Sequence, residues 1–168
     1  DYSEAVQPIS VKAATVVYKF ECTDCFIVPG CASEGKLLVS KECATVINNN
    51  QASLKYKVHV DNVGEGTLSL VEFEDIITIP SQLSTGNIIV SPSSLNVDTS
   101  VTGRVKIFGS IGTIEPGGRV VITYNIPITA ISSPGGYSIS NIARAAAEST
   151  ESSDLCETPL NVIKLKAD

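Results

Sequence analysis

Apolar and polar residues alternate along much of the chain, as they do in β-strands that bury one face. Across residues 52–61 an apolar set alternates with a polar set. The apolar residues are Leu54, Tyr56, Val58 and Val60, and the polar residues are Lys55, Lys57, His59 and Asp61. Residues 118–128 repeat the pattern, with one face made of Val120, Ile122, Tyr124, Ile126 and Ile128. A period of two residues predicts strands with one face toward a core and the other toward water. No apolar period of the helical type runs over a helix-length window.

Shorter strands are predicted at residues 67–76, 88–90, 95–97, 104–111, 137–147 and 160–166. The alanine-rich run at 143–147 is assigned to a strand, because it is short and the residues before it favour extended structure. Glycine, proline and asparagine residues separate the strands at 62–66, 115–118 and 133–136. Turn signals at intervals of about 8–12 residues are typical of an all-β sandwich or barrel.

Composition and charge narrow the range of partners. A chain of 168 residues suits one domain with its own core, and its aromatic content is only 5%. The net charge of −6 disfavours nucleic acid and anionic membranes as partners, because both are themselves negative. No apolar stretch approaches the roughly 18 residues of a membrane span. The chain begins at Asp1 and contains no methionine, so we expect an exported, extracellular protein whose signal peptide has been removed.

The patterns divide the chain into four segments. Residues 1–21 form an N-terminal extension that is apolar at intervals and suits a donor strand. Residues 22–51 are expected to be a cysteine-rich hairpin or loop insertion. Residues 52–150 contain the sandwich core, and residues 151–168 contain a C-terminal strand.

Five cysteines offer disulfide or metal chemistry, namely Cys22, Cys25, Cys31, Cys43 and Cys156. Such clustering indicates either disulfides in an oxidising compartment or a zinc site. Cys22 and Cys25 have zinc-like spacing, but Cys31 and Cys43 are too far apart to complete the usual second pair. Disulfides are therefore the favoured interpretation, and the odd number leaves at least one thiol without an internal partner. Cys156 is expected to meet the cysteine cluster of a neighbouring chain.

Few other residues suggest chemistry. His59 is the single histidine and lies on the polar face of its strand, where a surface position is expected and not a general base. Strand alternation puts Glu72 and Glu74 on one face and Asp75 on the other, so a solvated face is expected in place of a calcium site. Lysine–asparagine isopeptide bonds occur in bacterial surface sandwiches, but no motif marks one here. We expect no enzymatic activity, no metal and no cofactor.

Four stretches, in order, resemble the conserved-repeat domain of prokaryotic surface proteins known as domain of unknown function eleven. They are residues 56–64 (YKVHVDNVG), 71–80 (VEFEDIITIP), 111–117 (IGTIEPG) and 139–143 (ISNIA). The resemblance covers more than half of the chain and implies an immunoglobulin-like β-sandwich, here with extra terminal strands. It implies that Asn62 and Gly64 turn the chain between sheets and that Pro116 and Gly117 begin the next hairpin. Proteins of this family occur in cell walls, surface layers and adhesins, and some spore-appendage proteins are similar to it.

Two functions are consistent with these features. The first is a structural subunit of an extracellular filament or appendage, a homopolymer that assembles by strand exchange and gains disulfide cross-links. The single copy, the long terminal strands and the cysteine cluster favour it. The alternative is a monomeric adhesion or ligand-binding domain of a larger cell-surface protein.

Overall fold

The computed structural model describes residues 33–48, 51–148 and 150–162. These residues form ten strands: β1 Leu37–Asn48, β2 Gln51–Asn62, β3 Leu68–Thr78, β4 Leu83–Thr85, β5 Ile89–Ser91, β6 Asn96–Asp98, β7 Arg104–Ile114, β8 Arg119–Ile131, β9 Gly135–Ala147 and β10 Thr150–Val162. The described ranges contain no helix, and hence none that could cross a membrane.

The strands form two antiparallel sheets. The first sheet has the order β1-β2-β8-β4, with β5 also pairing with β8, and the second has the order β10-β9-β3-β7-β6. The expected all-β, immunoglobulin-like sandwich is confirmed. Connections that pass from one sheet to the other include β2 to β3, β7 to β8 and β8 to β9.

The core lies between the sheets and follows the predicted alternation. Leu54, Val58 and Ile126 of the first sheet and Ile77 and Ile139 of the second are completely buried. Burial of each such side chain contributes about 1.5–3 kcal/mol relative to exposure. Aliphatic side chains therefore supply most of the hydrophobic stabilisation, as the low aromatic content predicts.

Asn62 and its neighbours turn the chain between the sheets, as the resemblance implies. The Asn62 side chain is 1% exposed and makes four hydrogen bonds to backbone groups. Its amide nitrogen donates to the carbonyl oxygens of Gly66 and Ile114, and its oxygen accepts from the backbone N–H groups of Gly64 and Lys36. One buried side chain thus joins three segments of the chain.

The structure differs from the sequence-based expectations at several strands. β1 occupies part of the range 22–51, where a hairpin or loop was expected, and it belongs to the first sheet. β10 lies in the C-terminal segment where a strand was expected, but it begins at Thr150, ten residues before the predicted range 160–166. Pro116 and Gly117 connect β7 to β8 in the opposite sheet, so they do not begin a hairpin. Residues 1–21, the expected donor strand, lie outside the described residues.

Candidate functional site

The edge strands of the two sheets, β1 and β10, meet at one corner of the sandwich. Three backbone N–H groups of β1 donate to side-chain oxygens of β10 there: Leu37 to Thr150 (3.1 Å), Val39 to Ser152 (2.9 Å) and Lys41 to Asp154 (2.8 Å). Inward side chains recur every two residues along β10, and the N–H groups that β2 leaves unpaired recur every two residues along β1. Each inward side chain in this stretch of β10 therefore lies opposite one such N–H group. Over residues 37–41, the edge of β1 is therefore closed against pairing with a further strand.

Cys43 and Cys156 face each other across this corner. Their Cα atoms are 6.5 Å apart, within the range that disulfides span, so the two cysteines are placed to form a disulfide. Cys156 is thus next to a cysteine of its own chain, which differs from the predicted contact with the cysteine cluster of a neighbouring chain. Cys22, Cys25 and Cys31 lie outside the described residues.

Lys41 reaches from β1 into the interior, where it meets Asp75 of β3. The Lys41 Nζ atom is 2.6 Å from the Asp75 Oδ2 atom, and neither side chain has any exposed surface. Lys41 takes an inward position because it continues the alternation of Leu37 and Val39, whose side chains are both buried. An amine and a carboxylate are thus in contact inside an apolar core.

Two further polar side chains extend this pair into a network. The Tyr124 hydroxyl donates to Asp75 Oδ2, and the Asn141 amide nitrogen donates to the Tyr124 oxygen over 2.7 Å. The rings of Tyr56 and Tyr124 stack with centroids 5.0 Å apart, and Lys41 Nζ lies 5.4 Å and 5.8 Å from the two centroids. The buried Asp75 Oδ1 and Asn141 Oδ1 atoms have no hydrogen-bond partner. Such orphaned acceptors are rare and costly in a protein interior.

The interior shifts the protonation equilibria of both charged groups toward their neutral forms. Burial lowers the pKa of the Lys41 amine to about 8, although the Asp75 carboxylate opposes this. Burial raises the pKa of Asp75, again against the effect of Lys41. The pKa of the Tyr124 hydroxyl is also raised, by burial and then by the Asp75 charge, so this residue stays a hydrogen-bond donor.

The sequence also singled out one histidine and a group of acidic residues. His59 lies on the outer face of β2 with 13% of its side chain exposed, beside Glu42 at 3.3 Å. Glu72 is exposed, and Glu74 pairs with Lys106. The solvated face expected for the acidic residues is wrong for Asp75, which is completely buried. The described part of the chain has no group of three or more potential metal ligands.

The side of the sandwich opposite the closed corner is open. β6 covers β7 only at residues 106–108, and β5 and β4 cover β8 at 123–125 and 128–131. Among the described strands, none pairs with residues 109–114 of β7 or 119–122 of β8 on this side. Val121, in the second of these stretches, is 41% exposed.

A cleft of about 560 Å³ is lined by residues of β1, β2, β5 and β8, among them Ala44, Lys55, Ile89 and Asn125. Ile89 is 69% exposed although it is apolar. The cleft is large enough for a small ligand or an apolar side chain.

No known protein family matches the chain, and no curated protein sequence matches it either. The resemblance to the conserved-repeat family therefore stays a prediction.

Several solved structures share the general architecture at low sequence identity. A non-cellulosomal cohesin from Archaeoglobus fulgidus is 7% identical, with a TM-score of 0.45, over 74% of this chain and 92% of the cohesin. BcpA, the major pilin subunit of Bacillus cereus, is 17% identical, with a TM-score of 0.43, over 76% of this chain and 40% of the pilin. AvmM, which catalyses macrocyclization in alchivemycin A biosynthesis, is 9% identical, with a TM-score of 0.42, over 80% of this chain and 93% of AvmM. Likeness at this level does not assign a function.

Proposed function

We propose that this chain is a structural subunit of an extracellular filament or appendage that assembles by strand exchange. The observation that carries the proposal is the open edge formed by residues 109–114 of β7 and 119–122 of β8. An uncovered strand edge presents unpaired backbone N–H and C=O groups, which monomeric proteins usually protect. Residues 1–21 of a neighbouring copy are the segment proposed to occupy it.

The difference between the two sides of the sandwich supports directional assembly. At the closed corner, side chains of β10 already satisfy the N–H groups of β1, so a new strand gains few hydrogen bonds there. The side of the sandwich opposite this corner has the unpaired edges of β7 and β8, where a donor strand could form backbone hydrogen bonds. A donor segment that leaves one part of the subunit and binds another part of the next makes a contact that does not close on itself, and such contacts produce filaments.

Covalent bonds between subunits fit the same proposal. Five cysteines are present, and a disulfide between the neighbouring Cys43 and Cys156 would leave three: Cys22, Cys25 and Cys31. Three is an odd number, so at least one of them has no cysteine partner within its own chain. All three follow directly on the proposed donor segment, and a disulfide from there to another chain would lock the joint.

The alternative is a monomeric adhesion or ligand-binding domain. The cleft beside Ile89 favours it, because an exposed apolar residue in a concave surface is typical of a binding site. Its occupant would be a small ligand or a receptor side chain, and the chain would then need no second copy.

Electron microscopy of four variants beside the unchanged chain tests the proposal. Deletion of residues 1–21 should abolish fibres and leave a folded core. Thr113→Lys and Val121→Lys place a lysine on the open edge, where charge discourages strand pairing, and should reduce fibre formation. Ser40→Lys adds the same charge to the exposed face of β1 and serves as the control. Fibres that form equally well after the deletion would rule out donor-strand assembly, and monodisperse particles from the unchanged chain would favour the alternative.

A further inference from the structure

We propose that Lys41 and Asn141 become joined by an intramolecular amide bond between Lys41 Nζ and Asn141 Cγ, with Asp75 as the group that accepts and returns the proton. The bond would connect β1 of the first sheet to β9 of the second through the core. It concerns the single subunit and does not depend on whether the chain polymerises.

The strand register brings the three residues together. Asp75 pairs with Ala143 and Ile77 pairs with Asn141 across β3 and β9, so Asp75 and Asn141 are diagonal neighbours on the inner face. Diagonal neighbours of this kind have Cα atoms about 7–8 Å apart, within reach of longer side chains. Lys41 enters from the other sheet, and its Nζ atom contacts Asp75 directly. Tyr124 completes the group, because its hydroxyl bonds to both Asp75 and Asn141.

The environment favours the reactive forms of these groups. Only a neutral amine is a nucleophile, and in water a lysine amine is almost entirely protonated at neutral pH. Burial lowers the pKa of Lys41 to about 8 and raises that of Asp75, so transfer of the proton from the amine to the carboxylate costs far less than in water. Lys41 and Asp75 have no exposed side-chain surface and Asn141 is completely buried, so water does not compete for the Asn141 carbonyl carbon.

The chemical step balances without any further reactant. Asp75 takes one proton from the Lys41 ammonium, and the neutral Nζ atom attacks the Asn141 carbonyl carbon. As the Nζ–Cγ bond forms and the Cγ–Nδ2 bond breaks, Nδ2 receives a proton from Asp75 and leaves as ammonia. Asp75 then accepts the second proton that the Lys41 nitrogen must lose to become an amide. No electron is transferred to or from an oxidant or reductant.

Asn141 suits the role of electrophile better than Asp75 does. If Asp75 were attacked, it could not also serve as the base. The remaining hydroxyl in the group, that of Tyr124, could not replace it, because its raised pKa keeps it protonated. A carboxylate is also a poorer electrophile than a neutral carboxamide, since its negative charge repels the attacking lone pair. With Asn141 as electrophile every member of the buried group has one role: Lys41 attacks, Asp75 moves protons, and Tyr124 holds both carbonyl-bearing side chains.

High-resolution mass spectrometry of the intact, folded and fully reduced chain tests the proposal. The expected mass is lower than that of the sequence by one molecule of ammonia, and a protease digest should contain a branched peptide that joins Lys41 to Asn141. An unmodified mass would overturn the proposal. A mass lower by one molecule of water, with a branched peptide at Asp75, would overturn the assignment of Asn141.

Variants separate the roles of the three residues. Lys41→Arg, Asn141→Ala and Asp75→Ala should each restore the full mass, and Asp75→Ala is the most informative because it retains both residues that form the bond. Lys57→Arg, at a partly exposed lysine of β2, is the matched control and should keep the loss of ammonia. Loss of ammonia that persists in folded Asp75→Ala would show that Asp75 is not the proton acceptor. If that variant does not fold, the mass of the unchanged chain and of Lys41→Arg still decides whether the bond exists.

Discussion

Lys41 and Cys43 lie two residues apart on β1, and each makes its main contact with the opposite sheet, Lys41 with Asp75 of β3 and Cys43 with Cys156 of β10. The proposed amide bond would link residues 41 and 141, and the disulfide would link residues 43 and 156. The two links would therefore close nearly the same loop of chain. In the chain-entropy account, most of the stabilisation comes from restricting the unfolded chain, so the second link to form adds little to the first.

Removal of the disulfide should thus have an effect that depends on Asn141. In an Asn141→Ala background, we expect Cys43→Ala with Cys156→Ala to lower the free energy of unfolding by about 2–4 kcal/mol, the usual contribution of a disulfide. With Asn141 present, the same pair of substitutions should cost clearly less. Urea unfolding of the four proteins measures this coupling. Equal losses in both backgrounds would show that the two links do not restrict the same loop.

Asn62 should be the most sensitive position outside this group. Asn62→Ala removes four hydrogen bonds at once, among them the two that the amide nitrogen donates to the Gly66 and Ile114 carbonyl groups. Each buried group left unpaired costs about 1–3 kcal/mol, so we expect the free energy of unfolding to fall by about 2 kcal/mol or more. Asn96→Ala, at an exposed residue of β6, is the control and should change stability little. Similar unfolding midpoints for the two variants would contradict the role of Asn62.

The pKa of Lys41 predicts a pH dependence in a chain that cannot form the amide. In Asn141→Ala, the folded state releases the Lys41 proton at a pKa of about 8, whereas the unfolded state keeps it up to about 10.5. Between these values the unfolded state binds more protons, so the free energy of unfolding should rise as the pH rises. The contribution of Lys41 to this rise should disappear in the double variant Lys41→Met with Asn141→Ala. Urea unfolding midpoints measured between pH 8 and 10.5 compare the double variant with Asn141→Ala. Parallel curves would mean that the buried amine does not titrate as expected.

The sandwich itself was predictable because most inward positions carry aliphatic residues. In β2 and β8 the alternation is regular, and those strands agree with the prediction to within a few residues. The full extent of β1 and of β10 was not predicted, because polar residues occupy several of their inward positions. Lys41 and Cys43 interrupt the apolar face of β1, and in β10 several inward residues are polar because they serve the β1 backbone or the disulfide.

The buried group could not be located from the sequence for a different reason. Lys41, Asp75 and Asn141 lie on three strands that the fold brings together, and no local spacing connects them. The one available signal is that a lysine follows Leu37 and Val39 in the inward register, where a charged residue requires a partner. A local inconsistency of this kind marks a functional position but does not identify its partner.

The arrangement of the cysteines predicts which of them can connect subunits. Because Cys156 is next to Cys43 in its own chain, we expect Cys43→Ser with Cys156→Ser to leave any disulfide-linked ladder intact on denaturing electrophoresis without reductant. Combined replacement of Cys22, Cys25 and Cys31 by serine should instead reduce the ladder to the band of the 17.7 kDa monomer. Reductant should produce the same single band from every protein, which controls for other cross-links. A ladder that survives the triple replacement but is lost with Cys156 would reassign the link between subunits to Cys156, and the intrachain pair would then be wrong.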